Sequence, residues 1–266
     1  MRLLALAVAW LPGRVSAAVL CQSKAHHLSI CVAYKSAMSQ WLQLFRAIEA
    51  HREVPLPVEP HAKELASGAW PRGCIFGWQP FYDGAASPPW VHVHVLREPT
   101  ERLVSGYLNR CVALGACGRP ARNWTAATSD LLDFVATSLA QNLHDHHFEA
   151  QMTACAAHSR PQLATHRPAG AFDRTVAWTG TELGPALLPI CLERNVSTQL
   201  CEASFPHTSN AAHTTGAAAY LAAMPPAERA VLREAAFRLY PRDVATYQRY
   251  RRDQRDDPAR SKDQSE

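Results

Sequence analysis

None of the eight cysteines stands in a CxxC pair, so the paired-thiolate arrangement used for structural zinc and dithiol redox work is missing. The apolar run near the start, residues 3–11, is nine residues long, well short of the roughly 20 that a membrane-spanning helix needs. Neither sign of charge is in excess: 27 Lys and Arg against 23 Asp and Glu give a net +4, and about +2 once Arg2 and Arg14 are set aside with the leader described below. That excludes a nucleic-acid binder working through a broad basic face, and any cationic site must be local. There is no Gly-x4-Gly-Lys run, hence no Walker loop, and no internal repeat.

What is present is the composition of a globular chain. Its 266 residues are 47% hydrophobic and 19% charged, enough for a sizeable core in a single α/β domain. Residues 1–17 (MRLLALAVAWLPGRVSA) carry a basic second residue, the apolar run, a Pro-Gly break and a small-residue cleavage pattern. They read as a secretory signal, with a short membrane anchor as the alternative. Cys111 and Cys117, and Cys191 and Cys201, are spaced for short loop bridges, and the sequons Asn123-Trp124-Thr125 and Asn195-Val196-Ser197 fall in loops. Leader, cysteines and sequons agree on the secretory pathway, with the protein lumenal or secreted.

The most informative stretch is residues 91–111, VHVHVLREPTERLVSGYLNRC. Period-two, Val-rich sequence over 91–96 predicts a buried strand, and Arg-Glu-Pro then opens a helix. Arg97 thus falls at the carboxyl end of a strand, beside a helix N-terminus, where an α/β sheet binds anions. Ser105, eight residues on, can offer a hydroxyl to the same anion. An earlier strand within 27–33, the turn YKSAMSQ and a helix over 41–51 repeat that layout with Lys35, Ser36 and Ser39 in the turn, as in a phosphate-cradling loop. Helices are also predicted over 131–142, 183–194, 217–223, 226–240 and 241–250, with a strand over 171–177, a short helix over 62–67, a loop over 112–128 and a solvated tail over 251–266. His144, His146 and His147 form the densest histidine cluster.

These residues carry a resemblance. Lys35-Ser36-Ala37-Met38-Ser39-Gln40-Trp41 resembles the 5′-phosphosulfate loop of Golgi carbohydrate sulfotransferases, the group that includes the chondroitin and dermatan 4-O enzymes. Residues 97–107 resemble their 3′-phosphate motif, in which an Arg and a Ser eight apart, here Arg97 and Ser105, hold the 3′-phosphate. His147-Phe148 with Cys155 is similar to their His-Trp...Cys segment, Phe172-Asp173 to the following Tyr-Asp, and residues 239–244, with Tyr240 and Asp243, to the end of their domain. Phe148 stands where Trp is usual and Glu98 where Asp is usual, and residues 174–182 are out of step with the family spacing.

The resemblance implies a sulfotransferase domain over 26–250 with a P-loop nucleotide-kinase-like fold, a mostly parallel sheet flanked by helices. It implies 3′-phosphoadenosine 5′-phosphosulfate (PAPS) as co-substrate without a metal, a glycan or glycoprotein acceptor and no nucleic acid, Golgi residence, and membrane association through the N-terminus if the leader is retained. Lys35 then stabilises the leaving phosphate oxygen and His147 is the base, with the 35–41 loop, Arg97, Ser105 and the turn Thr214-Thr215-Gly216 on the donor. Two other readings stand beside it. His92 and His94 alternate on one strand face and, with a third ligand from the 144–147 cluster, suit a zinc lyase or hydrolase; a non-catalytic glycan-binding relative is the other.

Overall fold

The computed structural model describes residues 18–33, 35–36, 38–51, 74–76, 90–117, 123–143, 145, 147–156, 174–178, 183–205 and 216–255. The leader, the short helix expected over 62–67 and Phe172-Asp173 lie outside them.

The sheet begins as a hairpin. β1 (Ala18–Ser23) and β2 (Leu28–Ala33) pair antiparallel, because the four residues between them are far too few for a crossover. His27 closes the turn in the left-handed region at φ 45°. β3 (Cys74–Phe76) adds antiparallel to the outer side of β1, while β4 (Val91–Arg97) and β5 (Arg174–Trp178) run parallel on the other side of β2. The order is β3-β1-β2-β4-β5. The sheet is therefore mixed, and the expected mostly parallel arrangement is corrected. Residues 18–23, AVLCQS, gave no strand signal strong enough to reveal the hairpin.

The helices in chain order are α1 (Met38–Glu49), α2 (Pro99–Tyr107), α3 (Thr128–Thr137), α4 (Leu139–Asn142), α5 (Gln151–Ala156), α6 (Leu183–Glu193), α7 (Thr198–Ser204), α8 (Ala217–Ala223), α9 (Pro226–Leu239) and α10 (Pro241–Arg255), with a π-helical turn, Leu108–Ala113, continuing α2. The turn takes up the start of the expected 112–128 loop, Ser138 splits the expected helix over 131–142, and α10 runs five residues into the expected tail. None of the helices among the described residues is long and apolar enough to cross a membrane.

Alternation along the strands divides the core. Val19, Ile30, Val93, Val95 and Val176 point to one face and pack with Trp41 and Phe45 of α1 and Leu187 of α6. On the other face, Leu20, Cys31 and Ala33 meet Ala154 and Cys155 of α5. A separate helical core joins Leu103, Val104 and Tyr107 of α2 to Phe134, Phe148 and Leu232. The carboxyl ends of β2 and β4, where Lys35 and Arg97 lie, sit beside the junction of these layers.

All eight cysteines are bridged. Cys111–Cys117 and Cys191–Cys201 form as their spacing suggests, while Cys21–Cys74 ties β3 to the sheet edge and Cys31–Cys155 ties α5 to β2. The last closes a loop of 124 residues. Replacing both Cys31 and Cys155 with alanine is expected to lower stability by about 3 to 5 kcal/mol, mainly by freeing the unfolded chain. Urea unfolding checks this, and a loss below about 1 kcal/mol would contradict it.

Candidate functional site

Arg97 is the last residue of β4, and the Arg-Glu-Pro turn works as the sequence suggests. Pro99 takes the first helical position, where a missing N–H costs nothing, and the Glu98 carboxylate caps α2 by accepting the Glu101 N–H. Glu98 thus does locally what a shorter Asp would do. Burial pushes its carboxyl up, and the N–H groups of Glu101 and Thr100 pull it back.

The Arg97 guanidinium is held on three sides. Nη1 donates to the Lys35 carbonyl at 2.9 Å, Nη2 pairs with Glu101 Oε1 at 3.0 Å, and the group stacks 5.0 Å from the Trp178 ring centre at the end of β5. Its buried Nε–H finds no hydrogen-bond partner among the described residues. Part of the fork expected to face a phosphate therefore holds the Lys35 turn against α2.

Lys35 adopts φ 64°, which turns its carbonyl toward Arg97. Among the described residues no carboxylate pairs with its ammonium. Burial, then the charges of Arg97 and Arg102, lower its pKa to about 8. Arg102 is itself fully buried in α2, where burial lowers its pKa and the Asp243 and Glu149 carboxylates raise it. Lys35, Arg97 and Arg102 thus form a local cationic cluster.

Ser36 is fully buried, and its hydroxyl donates to Gln151 Oε1 at 2.9 Å. Ser105 is buried on α2. Met38 and Ser39 open α1, Gln40 is half-buried, and the Trp41 ring lies in the core, 4.7 Å from Phe205. Trp41 thus anchors the helix. Ala37, Thr214 and Thr215 lie outside the described residues; Gly216, at φ 61°, caps α8.

His147 sits where α2 meets the segment leading into α5. Its Nδ1 lies 2.7 Å from Asp145 Oδ1, which also accepts the His147 backbone N–H at 2.8 Å, and Asp145 Oδ2 accepts from Arg110 Nε at 2.8 Å. A carboxylate at Nδ1 selects the tautomer with the proton there and leaves Nε2 as the basic nitrogen. Burial lowers the His147 pKa, Asp145 raises it, and the Lys35 and Arg110 charges lower it again. Gly106 lets the backbones approach: a Cβ there would lie 2.8 Å from the His147 carbonyl oxygen and 3.0 Å from the Phe148 ring. His144 and His146 lie outside the described residues.

The zinc reading finds little support in the donor set. His92 and His94 are buried on β4, and burial pushes His94 down to about 4. No group of three or more His, Cys, Asp or Glu among the described residues is arranged to hold a metal ion. Nothing in the sequence pattern singles out Asp145, Arg110, Glu101, Trp178 or Gln151 for these roles. Asp145 lies inside the histidine cluster, two residues from His147, and Gln151 inside the interval from His147 to Cys155, but Arg110, Ser36 and Arg97, which they also hold, come from distant segments.

Compared with known proteins, residues 20–166 match the model of the sulfotransferase family. No curated protein and no solved structure matches the chain.

Proposed function

This chain belongs to the sulfotransferase family, and from that premise we propose that it moves a sulfuryl group from PAPS to a hydroxyl of a carbohydrate. The observation that carries the donor half is the half-buried Lys35 ammonium, beside two arginines and with no carboxylate partner among the described residues. Such an ammonium is costly until an anion neutralises it, and a phosphosulfate is an anion with charge to match. The carbohydrate half rests on the order of the motifs from Lys35 to Asp243.

Bound, the donor supplies an electrophilic sulfur joined to a phosphate. The acceptor oxygen bonds to sulfur as the bond from sulfur to the bridging phosphate oxygen breaks, and the electron pair goes to that oxygen. Lys35 stabilises the charge that develops there. His147 Nε2 takes the hydroxyl proton, and Asp145 holds the imidazole and steadies the cation that forms. Arg97 and Ser105 hold the 3′-phosphate end. Four disulfides fit an oxidising compartment, the Golgi lumen or the exterior. Transfer from radiolabelled PAPS to a panel of glycans tests the whole reading; no labelled glycan, with no binding of adenosine 3′,5′-bisphosphate, would end it.

The pH profile follows from the two shifted groups. His147 must be neutral to accept a proton, and its lowered pKa places the acid limb below the ordinary imidazole value of about 6.5. Lys35 must be charged, so kcat/KM for the donor should fall above a pH of about 8. In kcat that alkaline limb should move upward, because bound phosphate favours the ammonium. A donor kcat/KM still flat to a pH of about 9.5 would contradict the role given to Lys35.

A further inference from the structure

The fully buried Gln151 makes three side-chain hydrogen bonds beside the site, and nothing in the proposed reaction uses it. Its Oε1 accepts from Ser36 Oγ at 2.9 Å and from the Arg97 N–H at 3.0 Å, while its Nε2 donates to the Arg97 carbonyl at 2.9 Å. One amide therefore occupies both backbone groups of Arg97, as a neighbouring strand would, and takes the hydroxyl of the 35–41 turn as well. Its own backbone is fixed in turn: Asp243 of α10 accepts the N–H groups of Gln151 at 2.7 Å and Met152 at 2.9 Å. Four residues on, Cys155 is bonded to Cys31 of β2.

Resting on the donor-site reading above, we infer that Gln151 is a positioning residue that joins the turn carrying Lys35 to the strand end carrying Arg97, so that the two halves of the donor site keep one spacing. Ser36 then serves as the turn's anchor, since its proton is committed to Gln151. Without the amide, the Arg97 backbone and Ser36 each lose a buried partner, and Lys35 and Arg97 are joined by a single hydrogen bond.

The experiment measures adenosine 3′,5′-bisphosphate binding by calorimetry on the full chain. Gln151→Met, similar in volume and without the amide, should weaken binding about tenfold in a protein whose circular dichroism matches wild type. Ser36→Ala should weaken it less, and the double variant should bind no worse than Gln151→Met alone, because both changes remove the same link. Gln151→Glu is the second variant, for the case in which the Met variant does not fold. Its protonated carboxyl keeps a donor for the Arg97 carbonyl and its ionised form does not, so its affinity relative to wild type should recover between a pH of about 8 and 5.5. Unchanged binding by folded Gln151→Met, additive losses, or a Gln151→Glu ratio flat with pH would each overturn the inference while wild-type binding leaves the donor site standing. Failure of wild type to bind the bisphosphate would instead remove the donor site, and this inference with it.

Discussion

His147→Ala is expected to lower turnover by about two to four orders of magnitude on an accepted glycan, while affinity for adenosine 3′,5′-bisphosphate stays close to that of wild type. The reason is a division of labour. In the proposed mechanism His147 Nε2 acts on the acceptor hydroxyl, and the contacts that hold its ring and backbone come from Asp145, Arg110 and the close approach at Gly106, apart from the turn that carries Lys35. His144→Ala and His146→Ala should do much less. Near-normal turnover in His147→Ala, with loss in either neighbour, would move the base to another histidine and leave the donor site as it is. Collapse of donor affinity along with turnover would mean that His147 is part of the donor site.

Lys35→Ala is expected to reduce both quantities. In the proposed mechanism the ammonium is needed twice: its charge attracts the donor in the ground state, and it meets a larger charge at the leaving oxygen in the transition state. Loss of the second interaction should lower kcat by about 10² to 10³, as removal of a donor from a developing anion does elsewhere. Loss of the first should raise the donor dissociation constant by about tenfold or more. Stability should not suffer, because a buried ammonium with its pKa pulled to about 8 is a cost to the folded state at neutral pH. The sign follows from linkage: the folded protein binds this proton less tightly than the unfolded chain, so removing the amine removes a penalty. Bisphosphate binding unchanged in a folded Lys35→Ala would refute the placement of the donor at this turn.

The parts legible in the sequence were those written in contiguous residues. Residues 91–107 declare themselves because valine alternation, a proline at the first helical position and a cap fall in one run, and β4 and α2 follow that run closely. The Lys35 turn was legible for the same reason. What was not legible depends on distant partners. The pairing of β1 with β3 joins residues more than 50 apart, and nothing in AVLCQS or CIF announces it. Arg97 was read as an open phosphate fork, yet two of its nitrogens hold Lys35 and Glu101, a use that only the folded chain reveals. Gln151 is an ordinary polar residue until Ser36 and Arg97 are brought to it, and Asp145 shows its link to Arg110 only in the folded chain. The charged composition after Tyr250 suggested a tail, but a helix needs no apolar face to continue for one more turn, and α10 runs on to Arg255.

The crossed bridges of the first two strands set an order on biosynthesis. Cys21 and Cys31 emerge first and are only ten residues apart, close enough to oxidise together. They lie on opposite faces of the sheet, one packed with Val19 and the other with Ala33, so a bond between them is incompatible with the hairpin. The native partner of Cys31 leaves the ribosome 124 residues later, roughly 6 to 25 s at about 5 to 20 residues per second. During that interval premature oxidation is a trap, and escape from it requires thiol exchange at seconds to hours. Because Cys155 follows the segment that begins at His147, a chain caught in that trap must exchange partners at Cys31 before this segment and the second strand share one covalent frame.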